Sequence, residues 1–501
     1  MNLMMLLEMA AQGFGDRRAL TSEGHSLRYA ELFAAAGAAA EAFRESGAKH
    51  VAVLDVSSPA VPIGLFGAAW AGLPFVPLNY RLTGEELEAL LARIAPAYLV
   101  ASPERAAALA GVAGSQVVAR DAFLARAAPG AAHEASWGMD PEETLVLLFT
   151  SGTTGAPKAA VIRHKHLVSY ILGSVEFGSA AEEDAALVSV PPYHIAGMAA
   201  IASSVFAARR IVLLPGFSPE GWLELARRER VTHAFLVPTM LARIALSLEE
   251  AGSAGLPHLR ALSYGGGKMP LPVIERAMRL FPGTDFTNAY GLTETSSTIC
   301  VLGPEDHRAA AGSADPAVRR RLTSVGRPLP SVEIEVRGPE GRRLGPGERG
   351  EIHVRGEQVS GEYLGRGSNV LRDGFFPTCD GGFLDEEGYL FLEGRIDDVI
   401  VRGGENMSPG EIEDVLLEHE AVADVAVVGV PDEQWGEAVA AVVVTKPGRR
   451  ASAEELRAFV KQRLRSSRTP ESIAFWEALP YNETGKLLRR KVREGLAGDG
   501  P

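Results

Sequence analysis

The sequence predicts an α/β fold. A large N-terminal domain of parallel sheets with helices carries a small barrel-like subdomain and is followed by a small α+β C-terminal domain. Three observations predict it. Strand-like runs such as HVAVLDV, RIVLLPG, THAFLVP and RALSYGGG alternate with helical stretches such as GWLELARRER and LPVIERAMRLF as far as about Gly394, the texture of parallel sheets covered by helices. Between Ser331 and Phe391 the chain changes to short strands and turns, as in SVEIEVRGPEGRRLGPGERGEIHVRG, which reads as an antiparallel or barrel-like unit. After Gly394 come EIEDVLLEH (helix), VADVAVVGV and EAVAAVVVT (strands), SAEELRAFVKQRLRSS (helix), SIAFWEAL (strand) and LLRRKVREGL. The expected boundaries are 1–394 for the large domain and 399–501 for the small domain, joined by residues 395–398.

Taken in order, the N-terminal stretch MNLMMLLEMAAQGFGDRR lacks a basic start and is interrupted by Glu8, so an amphipathic helix is expected rather than a signal peptide. Pro59 to Leu78 carries no charge and is long enough to cross a bilayer. Its four prolines and three glycines cut it into pieces, which suits a buried helix followed by a buried strand. With 501 residues, 46% hydrophobic and 23% charged, the chain has ordinary globular composition. A net charge of -13 disfavours nucleic acid as a bulk partner. Cys300 and Cys379 stand far apart without C-x-x-C spacing, so neither a disulfide framework nor a zinc site is indicated and a reducing cytoplasm is the expected compartment.

The stretch LLFTSGTTGAPKAAVIRH, Leu147 to His164, places a polar loop between an apolar run and a resumed strand and helix. Gly152 and Gly155 let the backbone approach a ligand, Thr150, Ser151, Thr153 and Thr154 offer hydroxyls, and Lys158 offers a charge, an inventory suited to a polyphosphate. The segment is not a G-x-x-x-x-G-K-[ST] loop. Ala156 and Pro157 separate Lys158 from Gly155, and Ala159 has no hydroxyl for a metal.

Four segments then occur in order: TSGTTGAPK, NAYGLTET (Asn288 to Thr295), GYLFLEGRIDDVIVRGGENMSPGEIEDVL from Gly388, and NETGKLLRRK from Asn482. Together, over nearly the whole chain, they resemble the adenylate-forming superfamily, in particular the AMP-forming acyl-CoA synthetases. The resemblance implies the chemistry: a carboxylate is activated by ATP as an acyl-AMP, with release of pyrophosphate, and a thiol then displaces AMP. The co-substrates implied are ATP and coenzyme A, with Mg2+ as the metal and a small-molecule carboxylic acid as the partner; the resemblance does not name the acid, and a medium-sized monocarboxylate is the expectation adopted.

The same resemblance implies residue roles. Thr150, Ser151, Gly152, Thr153, Thr154, Gly155 and Lys158 would cradle the β- and γ-phosphates. In the second motif, with Asn288, Ala289 and Gly291 shaping the nucleotide site, Tyr290 would stack on adenine, Thr293 would meet the α-phosphate and Glu294 would ligate magnesium. Gly265, Gly266 and Gly267 in SYGGGKMP would leave room for adenine and acyl group, and Lys268 is an uncommon residue there. His194 and Gly197 would border the acyl pocket. Asp380 matches the aspartate that holds the ribose, assisted by Arg395; Thr378-Cys379-Asp380 departs from the family's T-G-D. Asp397 matches the hinge, Lys486 the lysine that bridges carboxylate and α-phosphate, and Gly403 with Gly404 the passage for CoA. Two alternatives stay open: delivery of the acyl group to an amine or a carrier thiol, and a catalytically inactive nucleotide-binding module. A homodimer and the absence of a transmembrane segment complete the expectations.

Overall fold

The computed structural model describes all of residues 1–501 except 131–135, 151–156, 250–251, 404, 433, 483–486 and 498–501. Two large sheets dominate the N-terminal domain. In the first, strands Ala185–Val188, Arg210–Leu213, His233–Leu236, Ala261–Gly265 and Asp285–Leu292 run parallel as neighbours, with antiparallel strands added at both edges. In the second, His50–Leu54, Phe75–Pro77, Ala97–Ala101 and Thr144–Thr150 are the parallel centre. Thr144–Thr150 then pairs antiparallel with Lys158–Arg163, with Thr150 opposite Lys158.

The uncharged stretch 59–78 forms helix Ala60–Ala71 and strand Phe75–Pro77. Ala60 to Trp70 are all buried, as expected of a helix apolar on every side. Gly67 explains how it seats: a Cβ there would lie 2.8 Å from the Ala39 methyl of helix Tyr29–Glu45, so glycine permits the close approach of the two helices. The N-terminal helix spans Met4–Phe14 and is tied to the domain by Leu3 N–H donating to His164 Nδ1 at 3.0 Å. Among the described residues, no helix is long and apolar enough to cross a membrane.

The 331–391 region folds as strands Val332–Arg337, Gly350–Gly356, Phe376–Leu384 and Leu390–Arg395 in one antiparallel sheet. The small domain follows the expected order, with one difference. The helix expected over 452–467 ends at Lys461; Ser466–Arg468 is a 3-10 turn, and Pro470 downstream disfavours helical geometry in the residue before it. Helix Pro409–Leu417 packs on strand Leu390–Arg395 of the large domain, so the two units meet where the chain passes between them.

Candidate active site

The C-terminal ends of the parallel strands, where open α/β sheets bind ligands, open into one continuous cavity of about 1320 Å³. That exceeds the usual volume for a single small ligand and leaves room for two. Thr150, Lys158, Ala289, Gly291, Thr293 and Glu294 line one part of it. Arg395, Asp397 and Cys379 line the same part.

The second motif is folded by a tight reversal. After the 3-10 turn Thr293–Thr295, Ser296 and Ser297 take positive φ of 55° and 118°, conformations that cost energy in non-glycine residues. The reversal lays the Ser297 carbonyl over Gly291, where a Cβ would sit 1.7 Å from that oxygen. Only glycine fits. Glu294 is held in place by Tyr363, whose hydroxyl donates to Oε1 at 2.5 Å, and by Ser360 N–H, which donates to its carbonyl at 2.8 Å. Burial and the neighbouring carboxylate push the Tyr363 phenol well up, so it stays a donor. Lys158 Nζ stands 5.5 Å from the same ring. Tyr363 thus links the polar loop to the metal-site candidate, a role no local sequence signal marks. Among the described residues no group of three or more His, Cys, Asp or Glu is arranged to hold a metal. A single carboxylate on the cavity wall, Glu294, fits magnesium, which is commonly held by one or two carboxylates and substrate phosphates.

Asp380 and Arg395 face each other across adjacent strands. Arg395 Nη1 donates to Asp380 Oδ1 and to the Thr378 carbonyl, both at 2.9 Å. Tyr290 O–H donates to Asp380 Oδ2 at 2.7 Å. The Tyr290 ring itself is 8% exposed, packed with Ile299, Cys300 and Val325, and burial holds its phenol far above the ordinary range. Asn288 is likewise turned inward: its Nδ2 donates to the Ser324 carbonyl at 3.0 Å. Cys379 adopts φ 57°, the left-handed conformation that glycine takes without strain, so the departure from T-G-D changes the residue and keeps the backbone geometry. Burial raises the Cys379 thiol, with Arg395 opposing.

At the other part of the cavity, His194 precedes helix Ile195–Phe206. Its Nε2 is buried without a hydrogen-bond partner, and burial lowers its pKa to about 4, so the ring is neutral at pH 7. Gly266 lines the cavity, whereas Gly265 is needed for strand approach: a Cβ would meet the Ala289 carbonyl at 2.1 Å. Gly197 packs against Pro191, with 3.1 Å between its would-be Cβ and that carbonyl, and Gly267 lies beside Pro238. Neither Gly197 nor Gly267 is among the residues that line the cavity.

Lys268 does not line the cavity; its partly exposed side chain turns to the small domain. Its Nζ meets Asp414 Oδ1 at 2.7 Å and the Gly410 carbonyl at 3.3 Å, both on helix Pro409–Leu417 of the small domain. From that domain Tyr481, Asn482, Leu488 and Lys491 also line the cavity. Gly403 does not. It sits at φ 58° against Trp435, its N–H donating to the Trp435 carbonyl at 2.8 Å. Ser151, Gly152, Thr153, Thr154, Gly155, Gly404 and Lys486 lie outside the described residues.

Comparison with known proteins gives this geometry its context. The sequence model of the AMP-binding enzyme family matches residues 7–364, and that of the AMP-binding enzyme C-terminal domain matches 411–486. The chain is 34% identical over 477 residues to a feruloyl-CoA synthase of an Amycolatopsis species, covering 94% of each. The o-succinylbenzoate CoA synthetase of Bacillus subtilis, solved with its acyl-adenylate intermediate, superposes with a TM-score of 0.84 at 31% identity and 97% coverage of both chains. The same enzyme has been solved with ATP and a magnesium ion. An amide bond synthetase of Marinactinospora thermotolerans superposes with a TM-score of 0.85 at 29% identity, covering 99% of each chain. A cavity with room for two ligands, lined in part by the small domain, and two sequence-model matches that cover 7–364 and 411–486 place the chain in the AMP-binding enzyme family, among the adenylate-forming acyl-CoA synthetases.

Proposed function

We propose that the chain is an ATP-dependent carboxylic acid:CoA ligase, forming an acyl-AMP and then an acyl-CoA thioester with release of pyrophosphate and AMP. The observation that carries this reading is the single cavity joining Glu294 and the Asp380–Arg395 neighbourhood to the His194 end, with small-domain residues at its mouth. An acid and a nucleotide in that space lie in one water-restricted volume, which turns a bimolecular attack into a positioned one.

Asp380, oriented by Arg395 and Tyr290, accepts the ribose hydroxyls. Thr150, Lys158 and the loop residues Ser151 to Gly155 receive the β- and γ-phosphates. Thr293 meets the α-phosphate, and Glu294 is the protein ligand for magnesium. Bound there, the metal neutralises phosphate charge as it develops. Neutral His194 orients the substrate carboxylate with its unpartnered nitrogen. Lys486 bridges the attacking carboxylate and α-phosphate during adenylation. Domain boundaries at 394 and 399 follow, with the small domain turning at Asp397 so that Gly403 and Gly404 next border the thiol's path. Tyr481 and Asn482 on the cavity, with Gly403 turned to Trp435, support the adenylation arrangement as the one described. Delivery to an amine, as in an amide bond synthetase, is the second reading, because the two outcomes share the whole adenylation site. Free thiols at Cys300 and Cys379 suit a reducing cytoplasm, and a homodimer is the proposed assembly, read by sedimentation.

Pyrophosphate release across a panel of carboxylic acids, with and without CoA, tests the ligase. Acid-dependent release with CoA consumed is the expected result. Release that is unchanged by CoA, with amide formed from added amines, would turn the reading to the amide synthetase; ATP binding without release from any acid would leave an inactive nucleotide-binding module.

A further inference from the structure

The cavity does not end at His194. It continues between the first sheet and helix Ile195–Phe206 to the opposite edge of the sheet. Small residues make the passage. Ala186, Ala261 and Ser263 on the strands face Ala196, Ala199 and Ser203 on the helix, where larger side chains would close a sheet-on-helix interface. The strand Ala261–Gly265 spans this passage with five residues, about 13 Å from the glycine end to the far edge.

At the far edge stands Arg209, with His233, Ser203 and Ser204 around it. Ala208, at φ 57°, turns the chain out of the helix and sets the arginine there. Its neighbour Arg210 is neutralised by Glu229 at 2.7 Å. Arg209 has no such partner: among the described residues no carboxylate pairs with its guanidinium, and its Nε is buried without a hydrogen bond. The nearby phenol of Tyr29 is raised far above neutral pH by burial, so it supplies no counter-charge. His233 engages Thr232 Oγ1 through Nδ1 at 2.8 Å, and burial together with Arg209 lowers its pKa to about 4, leaving it neutral. A half-buried cation lining an elongated cavity without a counter-ion is an arrangement that a ligand's anionic end would complete.

We propose that Arg209, assisted by His233 and Ser203, is a distal specificity site, and that the preferred acid carries a second carboxylate at its far end. This deepens the ligase reading and rests on it: the reacting carboxylate lies by His194 and the glycines, an apolar body fills the passage, and the second carboxylate pairs with the guanidinium. It departs from the medium-sized monocarboxylate expected from sequence.

Octanedioate and octanoate, matched in body and differing in the terminal carboxylate, test the site, with butanedioate as an acid too short to span it. Pyrophosphate release by the full chain is expected to favour octanedioate by kcat/KM, and Arg209→Met to lose about 10²-fold on octanedioate while octanoate use changes far less. Arg209→Lys should retain part of the preference. Preference of the wild type for octanoate, or an equal fall on both acids in Arg209→Met, overturns the proposal. If no acid releases pyrophosphate, the ligase reading itself fails, and calorimetric titration of the two acids then decides the site. Tighter octanedioate binding that Arg209→Met abolishes upholds it, and equal affinities overturn it.

Discussion

The two ends of the cavity are built differently. At the proposed nucleotide end, polar side chains are fixed by one another: Tyr290 and Arg395 on Asp380, Tyr363 on Glu294. At the proposed acyl end, small residues from the strands and one helix face leave a space, and two polar atoms there, His194 Nε2 and Arg209 Nε, are buried and unpartnered. The difference teaches where catalysis and choice reside. On the proposed roles, groups that meet the same nucleotide every time are pre-organised by short-range bonds, whereas the acid is selected by a volume and by a charge left for it to satisfy.

The largest expected effect breaks the ordered end. Asp380→Ala removes the partner of both Tyr290 and Arg395 and should raise the KM for ATP and lower kcat/KM by about 10²-fold or more. Steady-state kinetics on ATP would show it, and wild-type behaviour would remove Asp380 from the ribose site. Next, Glu294→Gln should reduce adenylation by about 10-fold to 10²-fold, with part of the loss recovered by raising magnesium in a pyrophosphate assay. A response independent of magnesium would place the metal ligand elsewhere.

A third prediction sharpens the contrast through pH. His194 and His233, each with a pKa lowered to about 4 by burial, should leave the KM for the acid flat down to pH 5, where an ordinary imidazole would already have titrated near 6.5. For stability the sign is as follows. The unfolded imidazoles bind protons near 6.5 and the folded ones only near 4, so their contribution is intact above the higher value and is lost as pH falls through the lower. His164, also lowered to about 4 and accepting from Leu3 N–H, adds to this loss. Denaturant midpoints measured between pH 7 and 4 should therefore fall steadily, and a constant midpoint would contradict the burial of these rings.

A smaller effect concerns the junction. Lys268→Met removes the contacts to Asp414 and the Gly410 carbonyl. The exposure of both side chains, 39% and 53%, limits its worth. A change of about 2-fold to 5-fold in adenylation relative to thioester formation, reproduced by Asp414→Asn, would show that the pair favours one domain arrangement. Equal changes in both half-reactions would exclude it. Smallest of all, Cys379→Gly relieves an L-residue at φ 57° and loses a side chain, so activity should persist and thermal stability should move by about 1 kcal/mol or less. Loss of activity would give the thiol a role at the ribose end.

Sequence alone determined the α/β layering, the order of elements in the small domain, the buried helix at 60–71 and the family's motifs, because each depends on periodicity or on residues adjacent along the chain. The helix expected over 452–467 was legible in type and not in extent, ending at Lys461 in the structure. Only the tertiary structure decided that Lys268 reaches the small domain, that Tyr363 holds Glu294, that Asn288 turns inward to Ser324, and that Arg209 stands uncompensated at the end of a passage. These are contacts between residues 36 to 146 positions apart, or, for Arg209, the lack of one. No local pattern encodes such pairings; strand register and helix packing bring the groups together, and what they leave unpaired can be seen only once the chain is folded.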